Sequence, residues 1–398
     1  MERRRFLSSL AASTLAPSLL GVAGGGAVVD QPLGRALVLS GGGARGAYEA
    51  GIVGALAAGA GVPDGSPIPG YTMVAGTSIG ALNGWFVATG QYTRLRELWY
   101  GISGKNPVRL KPQFAALQDP QSGVLNLAAS ALSFSGLARD VKGIFQSEPV
   151  YDMIVQHIDP ATPLLFPLLW AVTNLAEQRP EYFFTRAHGA GEELPRTVVQ
   201  ALHAALGPHT IVREATPDLL HRALFASAAI PIAFDPVQMP DSNGNLTAYC
   251  DGGVASNSPV GIAHAIARAA DVVLLDPPYE AQTNYADAID IAFAAYATMQ
   301  RKILEEEMRS AYFESLERRT FRRLTAQEIA RATADASLVR HELTAPQTDL
   351  RYIRPEKTLP VGIVGFDDVV GIGKAYRQGW EDLFSRGFTP YDWRTFEL

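Results

Sequence analysis

A single cysteine, Cys250, in a chain of 398 residues excludes an internal disulfide and any cysteine-based metal cluster, so thiols give no reading of the redox compartment. Nowhere does the chain reach the roughly 18 consecutive apolar residues that a membrane-spanning helix needs. A His-Glu-x-x-His pair and an acidic calcium loop are both absent, so neither a metal nor another cofactor is expected. There is no repeat at a fixed period, and the 37 glycines and 26 prolines stand at turn and motif positions without forming a tract. Basic charge is also short: the formal net charge is −6, and the first 27 residues carry Arg3, Arg4 and Arg5 against Glu2, leaving −8 on the remainder. An acidic body is a poor partner for nucleic acid, and it does not adhere to anionic lipid by charge alone. Any membrane contact is then expected to be transient, peripheral and apolar.

What is present is a folded chain with 47% hydrophobic residues, long enough to bury a large core. Arg3-Arg4-Arg5-Phe6-Leu7, a mildly apolar stretch to Val22 and small residues up to Ala27 have the three regions of an export signal. The Arg-Arg-x-Phe-Leu core resembles a twin-arginine address, which implies a periplasmic or secreted protein; a disordered basic tail is the bland alternative. Residues 1–27 are set aside from the fold, and 28–398, which show no clean linker, are expected to form one domain.

Short apolar runs alternate with helical stretches, the pattern of a sheet covered by helices. Strands are expected at 35–40, 71–75, 167–175, 181–185 and 272–275, with a late strand at 360–364. Helices are expected at 47–60, 79–89, 150–158 and 260–269, and a further one ends near Ala229 before Pro231. Residues 190–218 read as surface loop and polar helix. The stretch 100–165 has the loose spacing of a lid, a binding wall or a packing helix, and 286–332 reads as long charged helices in a C-terminal extension, closed by a helix at 371–386.

Three motifs carry chemistry. Gly76-Thr77-Ser78-Ile79-Gly80 lies between a strand and a helix, the context in which a strained turn exposes a nucleophilic serine. Taken singly, an ordinary strand-to-helix turn explains it equally well. Gly41-Gly42-Gly43-Ala44-Arg45-Gly46 opens an earlier helix, and its N–H groups can converge on an anion, either a phosphate or the oxyanion of acyl transfer. Gly41, Gly43 and Gly46 also satisfy the dinucleotide fingerprint. That reading needs an acid at the next strand end, and the only one near the right distance, Asp64, lies in a loop. Asp251-Gly252-Gly253 follows a short strand at 247–250, where a carboxylate can enter a cleft, although a plain turn aspartate is the usual meaning of an Asp-Gly pair.

In their order and spacing these blocks resemble the three signature blocks of the patatin-like phospholipase family. Ala226-Ser227-Ala228-Ala229-Ile230-Pro231, Val254, Asn257 and Pro259 resemble the segments around the third, and the similarity covers about residues 35–278. The resemblance implies a three-layer α/β/α patatin-like fold with a mostly parallel central sheet and added helices. It also implies a lipid acyl hydrolase with Ser78 as nucleophile, Asp251 as its base and the N–H groups of Gly42, Gly43 and Ala44 as oxyanion hole. Arg45 occupies the family's basic position; fixing the loop, attracting an anionic head group and forming a structural ion pair all stay open.

Such a dyad transfers an acyl group from a lipid ester, phospholipid or lysophospholipid to serine and then to water. A carboxylate with a pKa near 4 is a weak base at neutral pH, so the dyad should lean on desolvation and on the oxyanion hole. Two alternatives are a Ser-Asp-His triad using His264 or His341, and a lipid-binding protein that has lost catalysis.

Overall fold

The structure, a computed structural model, describes residues 33–102, 107–115, 142–189, 210–278, 288–323 and 349–396, with positions 199 and 203. The expected export signal at 1–27 lies outside these residues. So do 103–106 and 116–141 of the expected lid, most of the expected loop at 190–209, and residues 324–332 of the charged helices. All other described residues belong to one compact unit, Leu33–Leu398.

Alternation in the first strand sets the layers. In β1 (Leu33–Leu39), Leu37 and Leu39 face one core cluster while Ala36 and Val38 face another, so the strand is buried on both sides. A single 3-10 turn (Gly43–Arg45) leads into α1 (Gly46–Gly59); β2 (Tyr71–Thr77), α2 (Ile79–Ala88) and α3 (Tyr92–Ile102) follow. Then come α4 (Glu148–His157), the hairpin β3 (Leu168–Asn174) and β4 (Arg179–Thr185), β5 (Ile211–Glu214) and α5 (Pro217–Ala228). A second hairpin, β6 (Val237–Pro240) with β7 (Leu246–Asp251), precedes α6 (Val260–Ile266) and β8 (Ala267–Val273). The chain closes with α7 (Ala288–Arg323), β9 (Leu350–Ile353), α8 (Val369–Ser385) and β10 (Thr389–Pro390).

The strand order is β10-β9-β8-β1-β2-β3-β4-β5, and β9-β8-β1-β2-β3 form an unbroken parallel block. Antiparallel pairs add β4, β7, β6 and β10 to it. Helices α1, α2, α3, α5 and α8 contribute to the core on one face, and α6 and α7 to the core on the other, giving the expected α/β/α layers.

Three expectations need correction. Residues 360–364 form bends and turns and no strand; their apolar side chains Val361, Ile363 and Val364 pack into the core from a loop. The late strand is β9 instead. Helix 260–269 ends at Ile266, and Ala267–Asp271 belong to β8, because pairing with β1 and β9 overrides the helix preference of an alanine-rich run. Within 190–218, residues 211–214 are strand β5, paired with β4.

Candidate active site

Strand β3 brings two distant segments together. Along one of its edges, β2 runs parallel and pairs Thr77 with Ala171; from the next rung onward, β7 runs antiparallel and pairs Asp251 with Val172. The C-terminal ends of β2 and β7 therefore meet head-on, about one residue rise apart. Ser78 follows the first end and Asp251 closes the second.

The serine turn is strained. Ser78 has φ 56° and ψ −126°, a region that residues other than glycine rarely occupy, and it is 3% exposed. The flanking glycines make the turn fit: a Cβ on Gly76 would strike the Gly80 carbonyl, and one on Gly80 would strike the Leu39 carbonyl of β1. The Ser78 N–H is held by the Ser227 hydroxyl at 2.9 Å, which in turn donates to the Ala171 carbonyl at 2.7 Å.

Residues 256–258 stitch the three motifs together. Gly41 donates to the Asn257 carbonyl at 3.0 Å, and the Thr77 hydroxyl donates to the Ser256 carbonyl at 2.8 Å. Ser40 Oγ donates to the Val273 carbonyl at 2.7 Å and lies 2.5 Å from Ser258 Oγ, so Ser258 is the donor of that pair. In the glycine loop, the Ala44 N–H is already donated to the Ile363 carbonyl at 2.8 Å. This corrects the expected set of three oxyanion donors: Ala44 is committed to the core, while the N–H groups of Gly42 and Gly43 have no backbone acceptor among the described residues. Arg45 forms an ion pair with Asp276 at 2.5 Å and donates from Nε to the Gly42 carbonyl at 3.4 Å, so its guanidinium fixes the loop through a buried pair.

Asp251 is fully buried. Its Oδ1 accepts from the Gly253 N–H at 2.6 Å, while Oδ2 has no partner at full hydrogen-bond geometry. Burial pushes the carboxyl up to about 7; weaker side-chain hydrogen bonding from Ser78, the Gly253 N–H and the Tyr296 hydroxyl pulls the other way. A carboxyl near 7 is matched to proton transfer at neutral pH, which removes the difficulty posed by an ordinary aspartate. Among the described residues, no histidine is one of the groups acting on it. His264 is buried on α6, whose neighbours Val260, Ile262, Ala263 and Ile266 belong to the core on the far sheet face, and His341 lies outside the described residues.

In comparison with known families, the chain matches the family described as Patatin-like phospholipase over residues 37–264, more than half of its length. The chain belongs to the patatin-like phospholipase family. A search of curated proteins gives no match. Among solved structures, VipD from Legionella pneumophila aligns at 17% identity over 89% of this chain and 66% of that one, just under two thirds, with a TM-score of 0.36. At that score the fold rests on the strand pairing above and not on the likeness.

The patatin-like core also frames a cavity of about 290 Å³. Ile79, Leu82, Asn83 and Phe86 line it at the i, i+3, i+4, i+7 spacing of one face of α2, starting one residue after Ser78. Leu95, Leu98, Trp99 and Ile102 of α3 and Met153 and Ile154 of α4 extend the apolar wall, and Arg94, Glu97 and His157 join Asn83 as polar members of the lining. Helix α4, which falls within the stretch 100–165, thus lines one side of the cavity.

Sequence reasoning quoted Ser227 and Asn257 without assigning them a part, and it missed Tyr296 and Gln300 of α7. Those two lie beyond the matched segment, and nothing in their neighbourhood sets them apart from other helix positions.

Proposed function

We propose that the chain hydrolyses carboxylic ester bonds of lipids, with phospholipids and lysophospholipids as the expected substrates, through a Ser78–Asp251 dyad. Family membership implies lipid acyl hydrolysis. The observation that carries the finer reading is the meeting of the strained Ser78 turn with the buried Asp251 carboxyl at the end of β2.

Ser78 Oγ attacks the ester carbonyl carbon and its proton passes to Asp251. The N–H groups of Gly42 and Gly43 take the negative charge that develops on the carbonyl oxygen. Collapse of the tetrahedral species breaks the ester C–O bond, and Asp251 returns the proton to the departing alcohol. Water then attacks the acyl-serine, gives its proton to Asp251, and leaves a free acid as Ser78 recovers the proton. The cavity along α2 supports an apolar acyl chain as the group held beside the nucleophile.

The test is a fluorophosphonate probe together with a panel of p-nitrophenyl esters, phospholipids, lysophospholipids and triacylglycerols. The wild type labels at Ser78 and turns over a lipid ester, and Ser78→Ala does neither. Hydrolysis surviving in a purified Ser78→Ala protein would overturn the dyad. The arginine-rich amino terminus supports an exported protein, and fractionation of expressing cells with and without Arg3 and Arg4 tests it.

A further inference from the structure

Helix α7 lies wholly beyond the segment matched to the family, yet it touches the third motif at three levels. Gln300 Nε2 donates to Asn257 Oδ1 at 3.0 Å. One and a half to two turns on, the Glu307 carboxyl accepts from the Ser258 N–H at 3.0 Å and from the Ser256 hydroxyl. One turn before Gln300, the Tyr296 hydroxyl is buried beside the Asp251 carboxyl. Neither the hydroxyl nor Asp251 Oδ2 has a partner at full hydrogen-bond geometry, and each group is among those acting on the other, so a donor and an acceptor, both shut off from water, lie close together.

We propose that Tyr296 is a positioning residue of the dyad: its hydroxyl donates to Asp251 Oδ2, holding the carboxylate in place for Ser78, and α7 is the strut that sets it there. The proposal rests on the Ser78–Asp251 reading above.

The physical argument is one of accounting for every donor and acceptor. An unpaired oxygen on a buried carboxylate is costly, and the Gly253 N–H satisfies only Oδ1. A phenolic O–H donor favours the charged form of Asp251 and offsets part of the burial effect. Besides the Ser78 hydroxyl, whose proton is the one transferred and which therefore cannot also hold the carboxylate in place, the surroundings offer no further donor among the described residues. The Cys250 thiol on the same strand is pushed up to about 12 by burial and by the Asp251 charge, so it stays neutral. Strands β3 and β6 carry no titratable side chain. On α5, Asp218 and Arg222 are exposed and His221 is bonded to the Ile158 carbonyl.

The experiment is the pH profile of ester hydrolysis by the full chain, wild type against Tyr296→Phe, with fluorophosphonate labelling as control. The expected result is an acid limb displaced upward by about one pH unit, with kcat/KM about tenfold lower below neutrality. KM should be unchanged, and labelling at Ser78 should persist at alkaline pH. A Tyr296→Phe profile that superimposes on the wild type, in a protein with an unchanged melting temperature, overturns the proposal and leaves the dyad standing. If the wild type neither labels nor hydrolyses, both fall together. Should Tyr296→Phe fail to fold, Gln300→Met loosens the helix while keeping the hydroxyl. It should move the limb the same way by a smaller amount, and no movement would overturn the strut.

Discussion

The Ser227 hydroxyl accepts the backbone N–H of Ser78 at 2.9 Å, so a helix 149 residues further along the chain holds the peptide group of the strained serine turn. That contact makes the unusual backbone angles of the turn sustainable, because the buried N–H would otherwise lack an acceptor. Ser227→Ala is expected to cost about 1–3 kcal/mol of stability, the usual penalty for orphaning a buried donor. It should also lower kcat more than it raises KM. Thermal melts and steady-state kinetics on the same preparation check both.

The rate should follow the ionisation of Asp251. With its carboxyl raised to about 7, the base is largely protonated in mild acid, so kcat/KM should climb as pH rises through neutrality and level off above it. An acid limb centred near 4 would mean that the base is an ordinary exposed carboxylate.

Stability should run the other way. Burial raises Asp251 to about 7, Glu307 to about 8 and Glu49 well above its usual value. Between about pH 4 and pH 8 the folded state holds protons that the unfolded chain has released, so raising the pH across that window favours unfolding. Asp251 alone contributes on the order of 4 kcal/mol at most, developed fully above its folded pKa. Asp251→Asn should abolish hydrolysis yet melt higher than the wild type at about pH 8, with the two curves converging near about pH 4. A lower melting temperature for the variant at alkaline pH would contradict this.

His264 separates stability from catalysis. It is buried on the sheet face away from the nucleophile helix, so His264→Ala should lower the melting temperature through lost packing and leave kcat within about twofold. Loss of turnover in a folded variant would give the base role to this histidine.

The cavity should set chain-length preference. Leu82 projects into it one turn beyond Ile79, and Leu82→Trp fills the space. Long p-nitrophenyl esters should lose about tenfold or more in kcat/KM while the acetate keeps its rate, the difference being apolar area no longer buried.

Much of this was legible because chemistry and backbone constraint coincide in the same residues. Gly76 and Gly80 mark the serine turn in the sequence because any side chain there would strike backbone, and Asp251 is marked by the glycines that let its strand end in a tight turn. The parallel strands were legible as continuous apolar runs. Harder to read were elements defined only by their neighbours. Leu350–Ile353 is a four-residue strand whose Arg351 pairs with Asp271, so its sequence lacks a plain apolar signature. Pro360–Val364 has that signature but is spent on a loop whose Ile363 carbonyl receives Ala44. Ala44 itself could not be removed from the set of oxyanion donors without knowing what lies above it. Tyr296 and Gln300 act from a helix whose relation to the third motif exists only in three dimensions.

Strand β1 sits at the centre of the sheet with β2 on one edge and β8, more than two hundred residues later, on the other. During synthesis the ribosome therefore releases the first half of the protein with an apolar strand edge open, and that edge stays open until Val273 has emerged. A message truncated anywhere before that point yields a sticky fragment in place of a smaller folded protein, and a chaperone that shields such edges should hold the nascent chain until about its first two thirds have emerged.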